Sequence, residues 1–380
     1  MKRLSKIYAL SLLALLSVTA CVEDFNADLP SDTVGMLVVS GDIISDTTCV
    51  FAVSRTYSLN VEEVPTDISK IDAQVKVVGS DGSSWQAVAQ GSGKFEAVLG
   101  TLNPEVEYHL EVAYDGETYT STAQRPLVTE PIDSLSYKQA VEYGPVNIYL
   151  SVTGDEDAYY VWNFEEVWEL RSYMTATSYF DVAARKVKPG AGYARSLGWS
   201  RSVSSSTLVG TVINNEGYAL IDKPVYSIQA NDYRLSVLYS TNFIQRRVSK
   251  AEYEYYSEKA KISEGSGGLF GTQPSELPTN ITCTNSAKKA IGYVGVNMNV
   301  STKRLFIDNK DIKFRETLNC PVVFASDFTP PKSEEEMYNS GYWAIEGTGV
   351  STTWTYERCV NVRALGATIF SRPSYWPIKK

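Results

Sequence analysis

The feature that most narrows the fold is a strict two-residue period. Val106, Tyr108, Leu110, Val112 and Tyr114 alternate with Glu107, His109, Glu111 and Ala113. Successive side chains of a strand point to opposite faces, so this stretch predicts a strand with one apolar and one polar face. Asp115-Gly116 follows with the chemistry of a two-residue hairpin turn, and Glu117–Thr122 reads as the returning strand. An apolar sheet face must be buried against a second layer. Met36–Ser40, Val50–Tyr57, Ala73–Gly79, Ser84–Gln90 and Lys94–Leu99 are short runs rich in Val, Tyr, Phe and Thr, with Ser80-Asp81-Gly82 as a turn. Together they predict an immunoglobulin-like or fibronectin-like β-sandwich over residues 34–126, left by a linker at Arg125-Pro126 and Glu130-Pro131.

Residues 132–380 read as a larger, less regular β-rich domain, so the chain as a whole is mainly β. Strands are expected at Val146–Val152, Tyr159–Glu169, Tyr233–Ser240, Ile291–Val300 and Lys303–Ile307. Val248–Ile262 lacks alternation and carries helix formers. Ser249, with Glu252 three residues on, has capping-box spacing, so a helix is expected near 249–263. Ser333–Asn339 is a candidate second, short helix, with Ser333 as cap and Glu334 to Glu336 suited to its N-terminal dipole. Gly265-Ser266-Gly267-Gly268 opens a loop running to Asn280.

The first 20 residues read as a leader. Lys2, Arg3 and Lys6 precede an apolar stretch, Ile7 to Val18, broken only by Ser11 and Ser17. At about a dozen residues the stretch falls short of the roughly 20 that a spanning helix needs and suits the centre of a secretory signal. Val18-Thr19-Ala20-Cys21 matches the pattern cut by lipoprotein signal peptidase, which makes Cys21 the expected site of lipid attachment. The plainer reading is a secretory signal that happens to end in cysteine. Several acyl chains on Cys21 would hold the body at a membrane where a single chain would not. Residues 21–33 form a tether, and Glu23 and Asp24 behind the lipid site resemble a surface-export signal; a solvated spacer would use the same residues.

Loss of the leader leaves 32 basic against 44 acidic residues, a net charge of −12. That balance argues against nucleic acid as a partner and against electrostatic adhesion to anionic lipid. Cys49, Cys283, Cys320 and Cys359 remain in the mature chain, an even number that permits two disulfides in an exported protein, with the pairing open. None has the spacing of a zinc or redox pair. The chain holds a single histidine, His109, on the polar face of its strand, which removes most metal sites and histidine-based nucleophile systems. Neither a catalytic site, a metal site nor a cofactor is expected.

Glu165-Glu166 and Asp155-Glu156-Asp157 are the densest carboxylates. Adjacent residues of a strand face opposite ways, so neither group reads as the paired acid and base of a glycosidase. Aromatic content is the richer signal, with 25 Tyr, 12 Phe and 7 Trp. The cluster Tyr159-Tyr160-Val161-Trp162-Asn163-Phe164 with Trp168 is either core packing, which strands favour, or a stacking platform built on Trp162 and Trp168. Tyr375-Trp376-Pro377 is expected to dock onto the second domain.

Several of these segments, in this order, resemble a known family. They are the lipoprotein leader, Pro131-Ile132-Asp133-Ser134-Leu135, the stretch Tyr159 to Trp168, and Gly267-Gly268-Leu269-Phe270 leading to Gln273-Pro274-Ser275. Ala290 to Val296 before Lys303 to Ile307, and the ending from Cys359 to Thr368 followed by Arg372 to Pro377, complete the set. The chain is similar to the Bacteroidota lipoproteins grouped as domain of unknown function 4249. It departs from them at Ala367, where a glycine is usual, and at Asn361, where an Asp-Cys pair is common. The resemblance implies a surface-exposed, non-catalytic outer-membrane lipoprotein that is accessory to a TonB-dependent transporter in nutrient capture. The other reading is a stand-alone glycan- or peptide-binding, adhesive or structural envelope lipoprotein. The family brings no site residues to carry over.

Overall fold

The computed structural model describes residues 35–57, 70–204, 207–213, 216–265 and 277–378. The leader, Cys21, Glu23, Asp24 and most of the glycine-rich loop lie outside the described residues. Among the described residues the architecture is mostly β, with several antiparallel sheets and three α-helices. None of the described helices is long and apolar enough to cross a membrane.

The N-terminal alternation builds a sandwich of two five-stranded sheets. One runs in the order Ala290–Asn297, Leu37–Ile44, Thr48–Arg55, Lys94–Val98, Val88–Gly91. The other runs Ile281–Cys283, Glu117–Ser121, Tyr108–Tyr114, Gln74–Gly79, Ser84–Gln86. Tyr108, Leu110 and Val112 face inward as their period requires, against Phe51, Val53 and Phe95 of the opposite sheet. The run expected as one strand, Ser84–Gln90, is two strands in different sheets. The chain crosses at Ala87, which is buried and whose amide donates to the Val75 carbonyl at 2.8 Å.

The sandwich is not confined to residues 34–126. Its two sheets each take an outer strand from the far half of the chain. Ala290–Asn297 pairs in parallel with Leu37–Ile44, and Ile281–Cys283 pairs antiparallel with Glu117–Ser121. Residues 281–297 therefore belong with the sandwich and not with the domain assigned to 132–380. The parallel pair demands a glycine: Gly292 has φ +138, and a Cβ there would lie 1.7 Å from the Val39 carbonyl oxygen.

The second unit packs two further sheets around one core. Leu197–Val203, Tyr159–Arg171, Leu238–Val248 and Ser301–Asp308 form one, with Leu208–Thr211 added to the first half of Tyr159–Arg171. Ala219–Ile228, Val146–Thr153 and Ile132–Lys138 form the other. Ile148 and Leu150 meet Trp162, Tyr239 and Phe243 between them. The strand expected from Tyr233 starts later, at Leu238. Asp232 accepts a hydrogen bond from the Arg234 amide at 2.9 Å and caps a 3-10 turn at Tyr233–Leu235 instead.

Both expected helices form, as Lys250–Gly265 and Glu334–Asn339. Ser333 and Glu336 close a full capping box on the short one. On the long one Ser249 Oγ accepts from the Glu252 amide at 3.2 Å, but the Glu252 carboxylate turns to Arg246. A smaller third layer holds the hairpin Ser178–Asp181 and Lys186–Pro189, the strands Val323–Phe324, Tyr342–Glu346 and Thr353–Tyr356, and the short helix. Met337 and Trp354 are its core. Cys320 and Cys359 form a disulfide beside it, whereas Cys49 and Cys283 are free thiols. The two bridges that an even count permits thus reduce to one. Burial pushes the Cys49 thiol up to about 11, which keeps it protonated.

One buried ionic cluster ties sandwich, second unit and helix together. Arg246 Nη1 lies 2.8 Å from Asp42 Oδ1, 3.0 Å from Glu252 Oε1 and 3.3 Å from Asn297 Oδ1. Arg246 and Glu252 are both almost fully buried. Replacing Arg246 with Leu leaves two carboxylates without their counter-charge and is expected to cost about 3–5 kcal/mol in a denaturant titration.

Burial raises the Glu252 carboxyl to about 7, with Arg246 opposing the rise and Asp42 adding to it. The folded chain therefore binds this proton more tightly than the unfolded chain, whose carboxyl titrates near 4.5. Stability from this group is greatest below the unfolded value and declines as pH rises through the folded one. In Glu252→Gln that component is absent, so the Tm of the parent chain relative to the variant is expected to drop between pH 4.5 and pH 7. A difference that stays flat across the window would refute it.

Candidate functional site

The aromatic cluster read from sequence is core. Trp162 is fully buried, its Nε1 donates to Gln245 Oε1 at 2.7 Å, and its ring stacks with Tyr160 at 6.0 Å. Trp168 is half-buried and packs against the second core. With Trp162 enclosed, the platform on Trp162 and Trp168 does not form: the strand turns Trp162 into the core shared with the facing sheet. Trp376 docks by its ring, donating from Nε1 to the buried Glu169 Oε2 at 2.9 Å.

The dense carboxylates are likewise committed elsewhere. Glu165 pairs with Arg201 at 2.6 Å on one face of the strand. Glu166, on the other face, is buried and accepts from Arg234 Nη1 and from the Tyr239 hydroxyl, each at 2.6 Å. Glu156 pairs with Arg247, which also holds Glu130 at 2.9 Å. His109 Nε2 sits 3.2 Å from Glu111 Oε1 on the outer sandwich face, and Lys76 holds the same glutamate at 2.6 Å. Among the described residues no group of three or more His, Cys, Asp or Glu is placed to hold a metal ion.

What the structure does assemble is an aromatic cleft of about 510 Å³ in the third layer. Tyr179 and Phe180 come from the hairpin, Tyr193 from the loop after it, and Tyr338 and Trp343 from the short helix and the strand that follows. The hairpin is held by several independent contacts. Arg185 grips Glu335 through two hydrogen bonds of 2.5 and 2.9 Å. Glu334 accepts from the Val187 and Gly349 amides, each at 2.8 Å. Ser178 Oγ donates to the Gly347 carbonyl at 2.8 Å, and the Thr177 amide to the Ile345 carbonyl at 2.6 Å.

Phe180 then stacks on Tyr338 at 4.7 Å. The loop can lie on the Tyr179 ring only because residue 192 is glycine: its φ is +55, and a Cβ would come within 2.6 Å of Tyr179 Cβ and Cγ. Arg363 Nη1 donates to the Tyr193 carbonyl at 3.2 Å and fixes the far end of that loop. Tyr193 itself is 79% exposed and forms the rim.

Among the described residues, the one acidic side chain lining the cleft is Asp181. Lys188 Nζ reaches its Oδ2 at 2.5 Å and holds the carboxyl below its ordinary range. Asp181 also accepts from the Ala184 amide at 2.9 Å. The cleft thus offers flat apolar faces, phenol hydroxyls at their edges and a carboxylate already neutralised. That inventory suits holding a molecule more than transforming one.

Sequence reading missed all five aromatic residues of the cleft, because they come from two segments far apart in the chain, neither of which is dense in aromatic residues by itself. The one local sign is Gly190-Ala191-Gly192-Tyr193, an aromatic residue behind two glycines just after Tyr179-Phe180.

The assignment of Trp162 to the core has a direct test. Trp162→Ala empties a fully buried site and orphans Gln245, so it is expected to lower stability by about 3–5 kcal/mol in a chemical melt. A loss below about 1 kcal/mol would contradict the packing described.

No curated protein matches the chain. The family model described as "Domain of unknown function (DUF4249)" matches residues 22–304, which takes in the sandwich, the second β unit as far as the middle of its strand Ser301–Asp308, and the Tyr179–Tyr193 wall of the cleft, with Tyr338 and Trp343 beyond it. The match spans well over half of the sequence, and the chain belongs to the family defined by domain of unknown function DUF4249.

Proposed function

We propose that the protein is a surface-exposed outer-membrane lipoprotein, without catalytic activity, that captures a ligand for a TonB-dependent transporter. The observation that carries the capture role is the preformed aromatic cleft, in which the lining carboxylate is already bound to Lys188. Support for the anchor comes from the leader ending at Cys21 and from the Glu23-Asp24 pair behind it. In this reading the lipid holds the chain to the membrane, the sandwich next to it serves as spacer or docking module, and the cleft faces the medium. The net charge of −12 after processing fits a partner that is neither nucleic acid nor bare anionic lipid.

The test is purification of the lipidated chain from outer membranes solubilised under mild conditions. A TonB-dependent receptor is expected to come down with it, and Cys21→Ala is expected to remove the chain from the membrane fraction. Repeated recovery of the free monomer would overturn the transporter role. A second reading is favoured by the fact that the cleft is complete within this single chain: a stand-alone glycan- or peptide-binding envelope lipoprotein. Ligand binding by the purified chain, together with no receptor in the membrane pull-down, would select that reading.

A further inference from the structure

The chemistry of the cleft points further, to the class of ligand. Resting on the capture role proposed above, we propose that the cleft between Tyr179, Tyr193, Tyr338 and Trp343 binds a neutral saccharide of one or two rings.

Charge removes most alternatives. Among the described residues no Lys or Arg lines the cleft, so an anionic ligand would find no counter-charge in its walls. A cationic ligand would need that carboxylate free, but Lys188 already occupies it at 2.5 Å. Breaking a close ion pair to form another gains little for a ligand that must itself be desolvated. The ligand that fits is uncharged.

Polarity separates the uncharged candidates. Tyr179, Tyr193 and Tyr338 put three phenols in the lining of the cleft. Asp181 has lone pairs left after Lys188 and the Ala184 amide are served. A purely apolar guest would cover these groups and leave them unpaired, which is costly. A pyranose ring presents C–H bonds on its face and hydroxyls around its edge. It can lie on an aromatic plate while its edge exchanges hydrogen bonds with the phenols and Asp181, so one molecule meets both demands.

Size and rigidity agree. The cleft volume of about 510 Å³ lies within the range for small-molecule sites and is filled by one or two sugar rings. Its walls are fixed before any ligand arrives, by Arg185 on Glu335, Glu334 on two amides and the Phe180–Tyr338 stack. A preformed site avoids the ordering cost that weakens flexible ones.

The experiment uses the purified full-length chain in a detergent without a sugar headgroup. It is titrated calorimetrically with neutral oligosaccharides of several sugars, with uronic-acid oligosaccharides, and with indole as an apolar aromatic probe. At least one neutral saccharide is expected to bind. Tyr193→Ala removes a rim ring that is 79% exposed, so its melting temperature should match the parent. Its affinity for that saccharide should fall about tenfold, the scale of losing one aromatic contact. Tyr375→Ala, an exposed aromatic outside the cleft, should leave affinity unchanged.

Three results would overturn the proposal: binding of indole or uronic acids but of no neutral saccharide, saccharide binding that Tyr193→Ala leaves intact, and binding of nothing on the panel. In any of these cases, recovery of a TonB-dependent receptor with the lipidated chain would show that the transporter role survives and only the ligand class has failed. Failure of both experiments would remove both.

Discussion

The arrangement of the whole chain depends on Arg246. Its guanidinium lies in the interior, where a lone charge is very costly, and it is met there by Asp42, Glu252 and Asn297. These four residues belong to four separate elements: two strands of different sheets, the long helix, and the parallel strand that the chain sends back to the sandwich. The cluster is satisfied only when all four are in register, because both carboxylates must reach the same guanidinium. The next residue, Arg247, fastens the linker through Glu130, and Asn297 Nδ2 donates to the Arg247 carbonyl at 2.7 Å. Two β units that could each have turned freely on a linker are thereby locked through one strand and one helix start.

That cluster also explains a local departure from helix chemistry. Glu252 stands at the position from which a capping-box glutamate reaches back to the N-cap amide. It serves the buried arginine instead, and Ser249 caps alone, with its hydroxyl 3.0 Å from the Tyr293 hydroxyl. Desolvation in the interior drives the Glu252 carboxyl upward despite its cationic neighbour, and the second carboxylate, Asp42, adds to the rise. Close packing adds a steric condition: a Cβ at Gly295 would meet the Glu252 carboxylate at 2.6 Å.

Aromatic residues are used in two opposite ways. Along Tyr159–Arg171 they are dense in sequence and buried in space, with Tyr160 and Trp162 fully enclosed. In the third layer they are sparse in sequence and gathered in space, at the mouth of a cleft whose floor is Ala344, with Met337 and Trp354 beneath it in the same small core. The Cys320–Cys359 disulfide lies beside this layer, and the Met174 amide donates to the Cys359 carbonyl at 2.9 Å. A small apolar core gives limited stability, and a covalent link beside it compensates for that.

The sequence by itself determined what is local. The period of two placed Tyr108–Tyr114 and its hairpin partner, Ser249 and Ser333 marked both longer helices, and the apolar run before Cys21 set the expectation of a lipid anchor. These signals sit within one turn or one strand, where side-chain direction follows directly from backbone geometry. Tertiary structure alone decided which strands share a sheet, that residues 281–297 return to the sandwich, which cysteines pair, and where a ligand could sit. Each of those depends on contacts between distant segments. A strand carries the same alternation whichever neighbour it joins, a cysteine the same thiol whichever partner it meets, and Tyr193 the same side chain whether or not Trp343 stands across a cleft from it.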